Sequence, residues 1–437
     1  MKHKIHVIGA GLAGCEAAHQ IARRGIAVEL YEMKPERYTP AHRYPGFAEL
    51  VCSNSLRADR LENAVGLLKE EMRLMDSLVM QAADATRVPA GGALAVDRTA
   101  FSDYITSKIK QNPMIALHEG EVSSLSGMEG IVVVASGPLT SDALSEEIAA
   151  KIGEERLHFF DAAAPIVMGE SLDYEKVFAA SRYGKGTDDY LNCPMTKEEY
   201  QAFYQALISA ECAQLHGFEG QEVFEGCMPV EVMAKRGEQT LLFGPLKPVG
   251  LTAPDGSRPY AVVQLRKEDE AGRMYNLVGF QTHLKFGEQK RVFSMIPGLE
   301  QAEFARFGVM HQNTYLNSPK ILDAFYRLRA DENFFFAGQM TGVEGYVESA
   351  ASGLYAGLAA AFQAEGQQMP ALSGKTAMGA LARYISSSPS ADFQPMNITF
   401  GIIDPPDQRF RKKAEKNTYL SQRALEEVRE WAERLAK

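Results

Sequence analysis

The pattern of apolar and polar positions changes period twice within the first thirty residues. "KIHVI" (4–8) is a short β-branched run, "CEAAHQIARRG" (15–25) repeats its apolar positions every three to four residues, and "IAVELYE" (26–32) is extended again. A period of two marks a strand and one near 3.6 a helix, so this stretch predicts strand, turn, helix, strand. A further buried strand, "IVVVASGP" (131–138), ends in a turn. "NFFFAGQMTGVEGYVESAASGLYAGLAAAF" (333–362) predicts a strand, a glycine-rich turn and a helix of small residues that starts near Gly345–Tyr346. From about 151 to 299 this rhythm stops. A helical part (197–216) precedes shorter apolar runs broken by Gly and Pro: "FEGCMPVEVMAKRG", "TLLFGPLKPVGL", "RPYAVVQLRKED" and "MYNLVGFQTHLKFGEQKRVF". These read as strands of a separate sheet. The tail from about 420 predicts a charged amphipathic helix. The pattern therefore predicts a discontinuous α/β domain (1–150 and 300–437) carrying an inserted α+β domain (151–299).

The first turn supplies the chemistry. "GAGLAG" comprises Gly9, Ala10, Gly11, Leu12, Ala13 and Gly14, with glycines in GxGxxG spacing between a strand and a helix. Such a turn needs glycine for a tight bend, for close approach to a pyrophosphate and for helix–strand packing. The helix amino terminus then offers unpaired N–H groups to phosphate. Glu32 ends the second strand, where an acid accepts hydrogen bonds from a ribose. Gly338, Gln339, Gly342, Gly345 and Tyr346 form a second ligand-facing turn. A helix starting there can point its positive end at the pyrimidine edge of an isoalloxazine. Two distant binding segments favour FAD over NAD, and no second GxGxxG follows a strand.

Composition narrows the class. With 437 residues, 46% hydrophobic and 23% charged, the chain reads as a soluble enzyme of more than one core. No apolar stretch approaches the ~20 residues of a membrane span, and the first apolar run leads into a glycine turn rather than a leader, so a cytoplasmic protein is expected. A net charge of −10 argues against a protein coated in nucleic acid. Residues 227–292 nevertheless carry ten Lys/Arg against seven Asp/Glu, a local footprint that an RNA backbone can use. The cysteines at 15, 52, 193, 212 and 227 show no CxxC or Cys/His spacing, so reduced thiols and no metal are expected. Cys15 and Cys212 fall in helical patterns and Cys193 precedes a proline; all three read as structural. Cys52 in "VCSNSLRAD" and Cys227 in "EGCMP" sit in polar turns, where a thiol ionises more readily.

These segments, with "GGALAVDRTAFS", "LNCPMTKEEY", "FGPLKPVGL", "AGQMTGVEGYVESAASG" and "FQPMNITFG", resemble nearly end to end the folate- and FAD-dependent tRNA uracil-5-methyltransferase family, TrmFO. The larger GidA flavoproteins are similar in the FAD parts alone. The resemblance implies a Rossmann-like FAD-binding domain of the GidA and glutathione-reductase kind. It also implies methylation of a T-loop uridine in tRNA to 5-methyluridine, with carbon from 5,10-methylenetetrahydrofolate, hydride from reduced FAD, and NAD(P)H reducing the flavin. Uracil C5 is a poor nucleophile until a thiolate adds to C6. By similarity Cys227 is that nucleophile and Cys52 removes the C5 proton beside the flavin; residue chemistry alone leaves the two roles exchangeable. His283 reads either as a ring stacking on the pterin or as a polar residue at a domain junction. Lys285, Lys290 and Arg291 are candidates for the folate tail or RNA phosphates, and Arg98 for a cofactor phosphate or a pair with Asp97. Lys235, Arg236, Lys247, Arg258, Arg266 and Lys267 are candidates for tRNA phosphates. The rivals are the same chemistry on ribosomal RNA, a small-molecule FAD oxidoreductase, and a non-catalytic RNA-binding flavoprotein.

Overall fold

The computed structural model describes residues 4–153, 157–162, 164–184, 187–213, 228–269, 271–308, 310–389 and 393–435. Two hydrophobic cores divide them. The first gathers residues from Ile5 to Ile148 and again from Tyr315 to Leu435; the second runs from Val167 to Ala302.

The first core is built on a parallel sheet in the spatial order Phe334–Phe336, Ile131–Val134, Ile5–Ile8, Val28–Glu32, Ile115–Glu119. Parallel strands covered on both faces have no solvent side, which is why "IVVV" is apolar throughout and fully buried. Helices Leu12–Arg23 and Tyr346–Ala364 pack backbone to backbone beside this sheet. A Cβ at Gly353 would lie 2.1 Å from the Ala13 carbonyl oxygen, and one at Gly357 would lie 2.7 Å from Ala17 Cα. The small residues of the second helix follow from that contact. The tail helix, Lys413–Leu435, starts before the expected boundary near 420 and is anchored by Trp431. Its Nε1 donates to Pro370 O at 2.7 Å and its ring stacks on Tyr355.

The second core carries a six-stranded antiparallel sheet in the order Phe178–Ala179, Tyr190–Met195, Ala261–Lys267, Met274–Leu277, Ile166–Met168, Phe304–Arg306. Helix Lys197–Ser209, started by a Thr196–Glu199 capping box, packs beside it. Two runs expected as strands are helical instead: Val230–Lys235 and Thr240–Phe243. In the first, the buried Val230 and Ala234 lie four residues apart, and Pro229 fixes the entry. That spacing decides the element, and the local V-E-V alternation is incidental. "MYNLVGFQTHLKFGEQKRVF" splits into strand Met274–Leu277 and helix Phe286–Phe293. The chain passes between the cores along an antiparallel pair, Leu157–Ala162 with Met310–Tyr315. A small sheet of Ser55–Ala58, Ala93–Val96 and Arg87–Val88 carries the segment after Cys52. Among the described residues no helix is long and apolar enough to cross a membrane.

Candidate functional site: a dinucleotide cleft ending at a cysteine

The three glycines of the first turn meet three different constraints. Gly9 adopts φ +98°, and a Cβ there would come 2.6 Å from Ala135 O. A Cβ at Gly14 would sit 1.7 Å from Gly9 O, so this glycine lets the helix lie against its own turn. A Cβ at Gly11 meets no protein atom within 4 Å. Its side faces the cleft, which Gly9, Ala10, Gly11, Leu12 and Ala13 line. Glu32 lines it too, buried and fixed by the backbone: Oε2 accepts from Ala10 N at 2.8 Å and Oε1 from Lys34 N at 3.0 Å. The carboxylate keeps further lone pairs for ligand hydroxyls. Gly338, Gln339, Tyr346 and Ser349 close the other end. A carboxylate, a glycine turn with a helix amino terminus and a second such terminus lining one cleft fit a dinucleotide. FAD is the group this donor set suits.

Gly342 and Gly345 hold the turn without lining the cleft. Gly342 has φ +85° and would clash with the Phe393 ring; Gly345 has φ +112° and lies against Glu348 and Arg57. Sequence reading missed the wall formed by Ser136, Gly137, Pro138 and Thr140, together with Lys34 and Glu49. Only the first group had a signal, in the turn after "IVVV".

Cys52 follows Val51, a lining residue of the cleft. The Tyr346 hydroxyl accepts from Cys52 N at 2.6 Å and Ser53 N at 3.2 Å, tying the cysteine segment to the start of the cleft-closing helix. Three arginines surround this segment. Arg98 bonds Glu268 and Leu50 O. Arg266 donates to Asn54 Oδ1 at 2.9 Å and Ser53 Oγ at 2.6 Å. Arg306 donates to Cys52 O at 3.3 Å.

Two expectations are corrected here. Arg98 does not line the cleft and pairs with Glu268 rather than with Asp97, which instead caps its own helix by accepting from Thr99 N and Ala100 N. Arg266 is only 6% exposed, so it is no surface contact for RNA. Strand alternation explains it: Val263 and Leu265 face the second core, and Arg266 faces the other way, toward the Cys52 segment. Arg306, Glu268 and Asn54 carried no sequence signal.

Cys227 lies outside the described residues. Lys235, Arg236, Arg258, Lys285, Lys290 and Arg291 are exposed, and Lys247 and Lys267 are half-buried. Lys285 pairs with Glu211 at 2.5 Å and Arg291 with Glu288 at 2.6 Å. Cys15 and Cys193 are fully buried, and burial pushes both thiols up, as packing residues require.

His283, read either as a ring stacking on the pterin or as a polar residue at a domain junction, sits against Glu231. It is 7% exposed, does not line the cleft, and places Nδ1 2.5 Å from Glu231 Oε1. Glu231 also accepts from Thr282 Oγ1 at 2.8 Å and His283 N at 2.9 Å. With Cys212, these residues bring three metal-capable donor atoms within 4.8 Å of one another, a grouping the cysteine spacing did not announce. Burial acts to lower the His283 pKa, but hydrogen bonds to Cys212 and Glu231 and their charges outweigh it and raise it to about 9. A folded-state value above the ordinary ~6.5 stabilises the fold fully below that pH, and the contribution fades as pH rises through about 9. The melting-temperature gap between wild type and His283→Gln should therefore be widest near pH 6 and shrink by about pH 10. A gap that stays flat across that range in thermal melts would count against this pairing.

Comparison with known proteins places the chain clearly. The profile of the family described as glucose inhibited division protein A matches residues 4–368. The chain is 61% identical over 428 residues to the methylenetetrahydrofolate–tRNA-(uracil-5-)-methyltransferase TrmFO of Desulfitobacterium hafniense strain Y51, covering 98% of each. It is 57% identical over 436 residues to the protein of that name from Listeria monocytogenes serotype 4b strain F2365, covering 100% of each. Among solved structures it is similar in fold to GidA of Aquifex aeolicus, with a TM-score of 0.72 at 15% identity over 100% of this chain and 76% of that one.

Proposed function

The chain belongs to the TrmFO family, within the wider glucose inhibited division protein A family, and on that premise we propose that it methylates C5 of a uridine in the T loop of tRNA, using 5,10-methylenetetrahydrofolate. FAD would be held by the Gly9–Gly14 turn, Glu32, and Gly338, Gln339 and Tyr346 of the cleft. When bound, the flavin supplies the hydride that reduces the transferred carbon to methyl, and NAD(P)H replenishes it. The reaction is placed in the cytoplasm, where tRNA and reduced folate meet.

One observation carries the reading: the Tyr346 hydroxyl joins the Cys52 segment to the closing end of the dinucleotide cleft. That bond holds Cys52 beside the cleft, next in sequence to the lining residue Val51. Cys227 adds to C6 of the extruded uracil, which makes C5 nucleophilic toward the folate methylene. Cys52 then takes the C5 proton. Lys235, Arg236, Lys247 and Arg258, with Phe243 (83% exposed) on the same stretch, offer phosphates charge and a base a stacking face.

The test is transfer of labelled carbon from methylenetetrahydrofolate into unmodified transcripts with NAD(P)H present. Label is expected in tRNA, lost when the T-loop uridine becomes cytidine, and absent from ribosomal RNA. Equal labelling of ribosomal RNA would reassign the substrate, and no label in either RNA would refute the reaction.

A further inference from the structure

The chain segment that carries Cys52 is held by guanidinium groups from three distant parts of the chain. Arg98 begins the helix Arg98–Lys110, Arg266 lies on the strand Ala261–Lys267, and Arg306 ends the strand Phe304–Arg306. All three bond the 50–54 segment, at Leu50 O, Asn54 and Ser53, and Cys52 O respectively. The thiol lies within electrostatic reach of each of them. Against three cations stands, among the described residues, one carboxylate, Glu268, 3% exposed and committed to Arg98. Arg98 Nη2 and Arg306 Nε are buried with no hydrogen-bond partner among the described residues. Burial pulls Arg266 and Arg306 below the usual guanidinium range, the mark of cations short of counter-charge.

The other groups nearby do not close the deficit. The Tyr346 hydroxyl is held neutral, because burial pushes its pKa well up. Arg57 and Glu348, beside Gly345, pair with one another. Buried charge is tolerated where an opposite charge completes it. We propose that Arg98, Arg266 and Arg306 hold the Cys52 sulfur as a thiolate, which is the form that accepts the uracil C5 proton. In that step the C5–H bond breaks, an S–H bond forms, and the electron pair stays on the uracil ring as an enolate. The inference rests on the proton-abstracting role given to Cys52 above. The arginines are positioning residues that act through the sulfur.

The test is peptide-resolved alkylation of Cys52 by iodoacetamide in the FAD-loaded protein from about pH 5 to about pH 10, without RNA or folate. The midpoint is expected roughly 1.5 units or more below the ~8.5 of a free cysteine. Arg306→Gln should raise it by about one unit, a tenfold loss of alkylation rate below the midpoint, and Arg306→Lys should restore most of the loss. Arg98→Gln reads the same enclosure from a second element, and flavin absorbance with thermal melts verifies that each variant is folded. A wild-type midpoint near ~8.5, or one that neither glutamine variant moves, overturns the proposal. Because the readout needs no methyl transfer, a shifted midpoint in a protein that fails to methylate tRNA supports the enclosure and refutes the reaction.

Discussion

Replacing Cys227 by alanine is expected to lower methyl transfer by about 10⁴-fold or more, because no other group can then activate C5. The covalent complex with 5-fluorouridine tRNA should disappear with it. Fluorine at C5 cannot leave as a proton does, so an enzyme that has added a thiol to C6 is trapped on the RNA. The flavin spectrum should survive, since the glycine turn, Glu32 and Tyr346 that line the cleft are unchanged. Cys52→Ala is the internal comparison: turnover should fall steeply while the trapped complex still forms, because proton removal follows addition. A Cys227→Ala protein that retains the complex, with Cys52→Ala losing it, would exchange the two roles.

The second large effect is structural. Gly14→Val should leave little folded, flavin-loaded protein. A Cβ at this position falls 1.7 Å from Gly9 O, and the clash is with backbone rather than a flexible side chain. Overpacking a tight site costs roughly 1–3 kcal/mol even where neighbours can shift, and here they belong to the turn itself. Gly11→Ala separates folding from binding, since a Cβ there meets no protein atom within 4 Å. That variant should melt close to wild type yet retain flavin poorly after dialysis. Expression, melting temperature and flavin-to-protein absorbance ratio check both, and a Gly14→Val protein that purifies with a full complement of FAD would contradict the packing described.

The first strand, turn and helix were legible because their constraints are local: three glycines and one acid within a short run, each with its own steric or hydrogen-bonding reason. The helix at Tyr346 was legible for a similar reason, as only small residues permit backbone contact with Ala13 and Ala17. The surroundings of Cys52 were not. Arg266 looked like a surface cation, and Arg98 like a partner of a cofactor phosphate or of Asp97, because composition cannot show which face of an element meets another part of the chain. The alternation along "YAVVQLRK" sets Arg266 opposite Leu265, but only the assembled sheet reveals that its side meets Asn54 and Ser53. The Val230–Lys235 helix was misjudged because an alternating triplet and a one-turn helix share too few positions to be told apart.

The order of the parallel sheet carries a consequence for how the protein is made. The strand Phe334–Phe336 takes its place beside Ile131–Val134, and only after it does the chain reach Gly338, Gln339 and Tyr346. A ribosome adding about 5–20 residues per second completes these parts on the order of 20–60 s after the Gly9–Gly14 turn. A nascent chain that has not passed the second glycine turn holds half a seat for FAD. Loading with the cofactor therefore belongs to the last stage of synthesis, and a truncation before that turn removes it while leaving the amino-terminal motif whole.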